Sequence, residues 1–123
     1  MSLFLCALWQ IFRFEVYLRC GTFSVLYRRV RTNYLRQAEN PHRPVEEICA
    51  AIDLVCIWYP KQVLCLQRSA ATTCLLRSYG IPAQMVLGAQ QMPFKSHAWV
   101  EVDRRVVNDK PYATEIYAEL DRC

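Results

Sequence analysis

The sequence predicts an α+β domain, with helices over the first two thirds of the chain and a small antiparallel sheet over the last third. Three observations carry that expectation. Apolar residues recur at helical spacing as far as Tyr79. The triplet Gly80-Ile81-Pro82 then ends the helical pattern, glycine as a C-terminal stop and proline as a bar to continuation. Beyond it come short runs rich in β-branched and aromatic residues, separated by turns. Helices first and strands afterwards is the order of α+β folds, not of alternating βαβ units.

Taken in order, residues 3–18 and 23–37 read as two helices separated by a break at Gly21. Leu8, Ile11, Phe12 and Val16 follow helical spacing only loosely. The segment Asn40-Pro41-His42-Arg43-Pro44 reads as a turn. Pro44 or Val45 then opens a third helix that ends near Tyr59. Proline suits a first helical turn, and Glu46 and Glu47 complement the positive end of the helix dipole. Its apolar stripe is Ile48, Ile52, Val55 and Tyr59, with Cys49 and Cys56 alongside. Pro60 separates it from a fourth helix over 64–79. Strands follow at 84–88 and 97–102, and a third at 105–108 after a tight turn.

A length of 123 residues points to one domain with one core. A hydrophobic fraction of 54% with 21% charged residues excludes a disordered chain. The net charge of +4 is unevenly placed. Residues 1–43 carry seven arginines against Glu15 and Glu39, a balance of +5; the remainder carries eight Lys/Arg against nine Asp/Glu, a balance of −1. A basic face of this kind attracts an acidic peptide, a partner protein or a membrane surface. Nucleic acid is not expected, because no nucleic-acid-binding motif accompanies the charge.

The apolar run from Ser2 to Phe12 falls short of the roughly 18 residues a spanning helix needs. It also lacks the features of a signal peptide. An amphipathic or partner-covered helix is expected there, with no integral membrane span. The seven cysteines (Cys6, Cys20, Cys49, Cys56, Cys65, Cys74 and Cys123) include no C-x-x-C pair. Neither a structural zinc site nor a disulfide framework is therefore expected, and a reducing cytoplasm fits best. No metal or cofactor is called for.

A nucleophilic cysteine needs a stabilised thiolate, a base and access to substrate. Cys65 falls at the start of the fourth helix, where the helix dipole favours the thiolate. The other cysteines lack that position, and an ordinary free cysteine is a small buried hydrophobe. Of two histidines, His42 lies in the proline-rich turn and His97 in a strand beside Ala98-Trp99-Val100. Strand alternation places His97, Trp99, Glu101 and Asp103 on one face. If Asp103-Arg104-Arg105 forms a three-residue loop, Trp99 pairs with Asp109, and Asp109 becomes the diagonal neighbour of His97, ~7–8 Å away between Cβ atoms. A two-residue turn would break that parity. Asp109 is thus a fitting orienting carboxylate, with Glu101 and Asn108 as competitors.

These residues resemble a known family. Cys65-Leu66-Gln67-Arg68-Ser69, Leu75-Leu76-Arg77 and Gly80-Ile81-Pro82-Ala83 are similar to segments of the leader peptidases of lasso-peptide biosynthesis. So are Gly88, Pro93-Phe94, Ser96-His97-Ala98-Trp99-Val100-Glu101-Val102 and Val107-Asn108-Asp109. The resemblance covers about residues 45–120. It implies a papain-like, transglutaminase-type core in which a helix presents the cysteine against a sheet carrying histidine and aspartate. It also places Cys65, His97 and Asp109 on the family's catalytic positions. One departure is the turn Asp103-Arg104-Arg105, which in the family usually reads Asp-Gly-Arg. Another is the expected absence of an N-terminal leader-capturing domain, which makes the chain similar to the stand-alone protease of split systems.

The length gives a single domain over 1–123, in which the resemblance implies a peptidase core over 44–123. The basic helical segment 1–43, with Phe4, Leu8, Trp9, Phe12 and Phe14 that a small core leaves partly uncovered, is expected to be a docking surface or, as the alternative, a solvated face. The implied activity is removal of the leader from a ribosomally made precursor peptide, by thiolate attack and thioester hydrolysis. The implied partners are the precursor, a small leader-binding protein and the macrolactam-forming cyclase. Two other readings remain open on the residues alone. One is acyl transfer to an amine on the same triad; the other is a peptide-binding module with an inert cysteine.

Overall fold

The computed structural model describes residues 2–33, 35, 44–91, 93–109 and 113–123. Among them are α1 (Leu3–Cys20), α2 (Phe23–Arg31), α3 (Val45–Trp58), α4 (Cys65–Ser78), β1 (Ala83–Gln91), β2 (Phe94–Val102), β3 (Arg105–Val106), α5 (Ala113–Ile116) and β4 (Ala118–Arg122). The strands form one antiparallel sheet in the order β3-β2-β1-β4. The fold is α+β. His42 and the turn expected at 40–43 lie outside the described residues, as does the far end of the second expected helix.

Local chemistry explains the element boundaries. The Ser2 hydroxyl caps α1 by accepting from the Leu5 N–H at 3.3 Å. α1 buries Ala7, Ile11 and Phe14, so its fully buried stripe shares only Ile11 with the residues that first suggest helical spacing. Phe14 is fully covered, whereas Leu5, Trp9, Phe12 and Val16 form an outward apolar stripe. Gly21 separates α1 from α2 because a Cβ there would stand 3.0 Å from the Tyr17 carbonyl oxygen. No helix among the described residues is long and apolar enough to cross a membrane.

The end of α4 is a Schellman motif. Gly80 takes φ 81°, its N–H donates to the Arg77 carbonyl, and the Ile81 N–H donates to Leu76. α4 is the central strut, lying between α1 and α3 on one side and the sheet on the other. That position buries polar side chains along with the apolar ones, and three of them, Gln67, Ser69 and Arg77, bind neighbouring elements. The Gln67 amide donates to the Ile11 carbonyl at 2.8 Å, and the Ser69 hydroxyl to the Ala98 carbonyl at 3.0 Å. The Arg77 guanidinium donates to the Ala83 and Val30 carbonyls, joining α4 to β1 and α2. α1, α2, α3, α4 and the α4-facing residues of the sheet share one core.

β4 and α5 were not anticipated from sequence. After β3 the chain returns to add β4 on the free edge of β1, with a bulge between Leu87 and Gly88. The strand is short, charged and exposed along most of its length. Such a sequence carries no hydrophobic alternation, yet it is the kind of edge that resists further pairing. Main-chain bonds in both directions between Met85 and Cys123 extend its attachment, and the Tyr27 hydroxyl reaches the Asp121 carboxylate at 2.5 Å.

Candidate active site

Cys65 is the first residue of α4 and is exposed. Its N-cap is Leu64, whose side chain offers the helix start no hydrogen bond. The first-turn N–H groups of a helix have no intrahelical partner. Thiol and amide donors therefore sit together at one helix start. The thiol opens into a cavity of about 280 Å³ that His97 also lines. Apolar side chains, Phe23, Leu66, Leu87 and Leu120, make most of the remaining wall.

His97 belongs to β2, and its Nε2 is hydrogen-bonded to the Asp109 carboxylate. With Nε2 engaged, the Nδ1 edge is the one left for other chemistry. The route by which Asp109 reaches His97 differs from the sequence expectation. Val102 pairs directly with Arg105, so the hairpin loop has two residues, Asp103 and Arg104, and not three. Both take positive φ, 52° and 66°, the type I′ conformation whose twist matches a tight hairpin. Simple continuation of that ladder would set Asp109 opposite Ala98, pointing away from His97.

The chain escapes this parity by leaving the sheet. The Val107 N–H still donates to the Val100 carbonyl at 2.9 Å. The Val100 N–H, however, donates at 2.7 Å to the side-chain oxygen of Asn108. A side-chain carbonyl thus occupies a place that a main-chain carbonyl takes in a regular ladder. The backbone after Val107 is freed from strand alternation, and Asp109 swings to His97.

Asn108 and Glu101, the competing orienters, are engaged elsewhere. The Asn108 amide nitrogen also contacts the Ser69 hydroxyl at 3.3 Å, so this one residue links β2, α4 and the approach to Asp109. Glu101 is buried and accepts from the Trp99 indole N–H at 2.8 Å, with the Arg122 guanidinium 3.3 Å from its other oxygen. The roles of Ser69 and Asn108 as the brace between helix and strand were missed in sequence. The juxtaposition of Asn and Asp just after a short strand was the available signal.

The other cysteines have different surroundings. Burial, with Asp53 nearby, pushes the Cys49 thiol up to about 11. Burial likewise raises Cys74 to about 11 and also raises Cys56 and Cys123. These four remain neutral thiols at neutral pH and are poor nucleophiles. Among the described residues, no group of three or more His, Cys, Asp or Glu side chains is arranged to hold a metal ion.

Comparison with known proteins gives three results. The microcin J25-processing protein McjB of Escherichia coli is 47% identical over 47 residues, which is 38% of this chain and 23% of that protein. The matched segment thus spans about a quarter of the curated relative's length. No solved structure matches. The profile of the transglutaminase-like superfamily matches residues 9–122, nearly the whole chain and every described element from mid-α1 to β4. The chain therefore belongs to the transglutaminase-like superfamily.

Proposed function

We propose that this protein is a cysteine peptidase that removes the leader from a ribosomally made lasso precursor peptide. The observation that carries the reading is that Cys65, at a helix start, and His97, bound to Asp109, line one cavity. The similarity to McjB supports the choice of a precursor peptide as substrate. In this reading the Cys65 thiolate attacks the carbonyl at the leader–core junction. The N–H groups at the start of α4, that of Cys65 first, stabilise the oxyanion. His97 passes a proton from Nδ1 to the leaving amine of the core, and a thioester to the leader remains. Water, deprotonated by His97, then hydrolyses the thioester and releases the leader as a free acid. Asp109 holds the imidazole in the productive tautomer and stabilises the imidazolium.

The helices of the basic N-terminal third are the docking surface in this reading. Arg28, Arg29 and Arg31 are exposed on α2, and Leu5, Trp9, Phe12 and Val16 are exposed on α1. Apolar side chains beside basic ones suit a leader peptide presented by a small leader-binding protein. The protein works without cofactor or metal, in the cytoplasm, and hands the exposed amine to the cyclase.

The test is incubation with precursor peptide and its leader-binding partner, read by mass spectrometry. Wild type yields free leader acid and core, whereas Cys65→Ala yields neither. Arg28→Glu combined with Arg31→Glu raises KM at low salt with kcat nearly unchanged. The difference shrinks as salt rises, because exposed charges are screened beyond ~10 Å at 0.1 M. Cleavage by Cys65→Ala at the wild-type rate refutes the peptidase assignment, and a new amide in place of the acid assigns acyl transfer instead. An unchanged KM at low salt removes the docking role from α2.

A further inference from the structure

The sheet face that carries His97 also carries two aromatic rings that the peptidase reading does not use. Tyr117, in the bend between α5 and β4, lies with its ring centroid 5.2 Å from that of His97 and its plane inclined by 32°. Trp99 completes a triangle, 6.2 Å from each of the other two rings. We infer that Tyr117 is a positioning residue, which with Trp99 holds the His97 imidazole so that its Nδ1 edge stays turned toward the Cys65 cavity. The inference rests on the peptidase reading and assigns it a further residue.

Three features of the same face support a built clamp over incidental packing. The first is Gly88, the cross-strand partner of His97. A Cβ at Gly88 would stand 2.6 Å from two carbons of the Trp99 ring and 2.9 Å from the Tyr117 Cβ. The Trp99 ring and the Tyr117 Cβ thus occupy the space that any other residue's side chain would need. The second is the bulge at Leu87/Gly88, which shifts the β1–β4 register just beyond Tyr117. The third is the anchor under Trp99. Its indole N–H is fixed by buried Glu101, which the Arg122 guanidinium approaches while also donating to Gln84 at 2.8 Å. A buried carboxylate is costly unless paired, and this one is satisfied by the group that sets the Trp99 ring and by an arginine of β4.

The clamp meets a geometric need. A hydrogen bond from Nε2 to Asp109 fixes one atom of the imidazole and leaves the ring free to tilt about that contact. The Tyr117 ring, 5.2 Å away and inclined by 32°, restricts that tilt. Aromatic pairs at such separations add a favourable contact beyond area burial. That contact favours one orientation. Orientation matters because a displacement of about 1 Å in a reacting group costs up to 10²-fold in rate.

The experiment compares Tyr117→Phe and Tyr117→Ala with wild type in two assays. In the cleavage assay, Tyr117→Phe stays within about twofold of wild type. Tyr117→Ala loses about tenfold in kcat with KM within twofold, at a temperature where circular dichroism shows it folded. The second assay needs no peptide: the rate of Cys65 alkylation by iodoacetamide at neutral pH, read by peptide mapping. There wild type and Tyr117→Phe react fast, and His97→Ala and Tyr117→Ala react slowly. Tyr117→Ala with wild-type kcat and alkylation rate, or with a change in KM alone, overturns the clamp. So does a Phe variant as impaired as the Ala variant, which would give the role to the hydroxyl. If His97→Ala alkylates as fast as wild type, the Cys65–His97 pairing itself fails and the clamp falls with it. A fast wild type beside a slow His97→Ala and a fast Tyr117→Ala sinks the clamp alone.

Discussion

Facing α4, strands β1 and β2 present Ala83, Met85, Ala98 and Val100, all buried and all without side-chain polar groups. On the opposite face the same two strands present Val86, Gly88, His97, Trp99 and Glu101, with Tyr117 and Arg122 laid over them. The first face is an ordinary half of a core, where shape and burial suffice. The second holds a buried carboxylate, three rings in contact and a glycine with no room for a Cβ. One strand therefore does both jobs, because alternation sends Ala98 and Val100 to the folding side and His97 and Trp99 to the chemical side. The difference teaches that stability and reactivity can be perturbed separately in residues adjacent in sequence.

The largest separation is expected at Met85, which is fully buried on the α4 side. Truncating a buried methionine to alanine leaves a cavity and costs ~2–5 kcal/mol. Met85→Ala should lower the urea midpoint strongly while the fraction that remains folded cleaves peptide at near the wild-type kcat. A collapse of kcat in folded Met85→Ala, at unchanged secondary structure, would show that the two faces are coupled.

A smaller effect is expected within the chemical face. Asp109→Asn keeps the shape of the His97 partner and removes its charge, and should lower kcat while leaving residual activity, since an orienting carboxylate stabilises the imidazolium without bonding to substrate. Glu101→Gln should affect the face through Trp99 and Arg122 and leave most of the activity. Equal activity of Asp109→Asn and wild type, with the larger loss in Glu101→Gln, would move the orienting role to Glu101.

That pair also shows how far the sequence could be read. The helix that begins at Cys65 is legible because Pro60, Gly80 and Pro82 bracket it, and those are backbone constraints that tertiary structure seldom overrides. The strand carrying His97 is legible from its β-branched and aromatic residues. From strand geometry, the contact between His97 and Asp109 was reachable only through an assumed three-residue loop. The real loop has two residues, and the contact survives because Asn108 exchanges a side-chain bond for a main-chain one. Such an exchange leaves no trace in residue periodicity. β4 was illegible for a related reason, since Glu119, Asp121 and Arg122 face solvent, Tyr27 and neighbouring side chains, leaving no apolar stripe to detect. On α1, Trp9 and Phe12 lie outward, as expected of aromatic residues beyond what a small core covers, whereas Phe14, expected with them, is buried. Hydrophobicity names the candidates for a core, and packing selects among them.

The smallest predicted effect concerns the thiols on the folding side, which contrast with Cys65 even within α4. Cys74 lies nine residues further along that helix and is buried, and Cys49 of α3 is buried as well. Burial raises both thiols from their ordinary value of 9.0 to about 11. Below pH 9 the folded and unfolded chains hold these protons equally. Between pH 9 and about 11 the unfolded chain releases protons that the native state retains. Native stability at these sites is therefore complete below pH 9 and is lost as pH rises toward 11. Burial of Tyr59 and its bond to Glu15, which raise it to about 12, add the same sign at the upper end of that window. Urea unfolding under reducing conditions should show midpoints that fall between pH 9 and 11. Cys49→Ala combined with Cys74→Ala should be less stable at pH 7, because two buried side chains are shortened, yet flatter in its dependence on pH. It should still remove the leader at neutral pH. Parallel pH slopes for wild type and the double variant would show that the buried thiols do not set the alkaline limit. Loss of cleavage in the folded variant would end the division between a folding side and a chemical side.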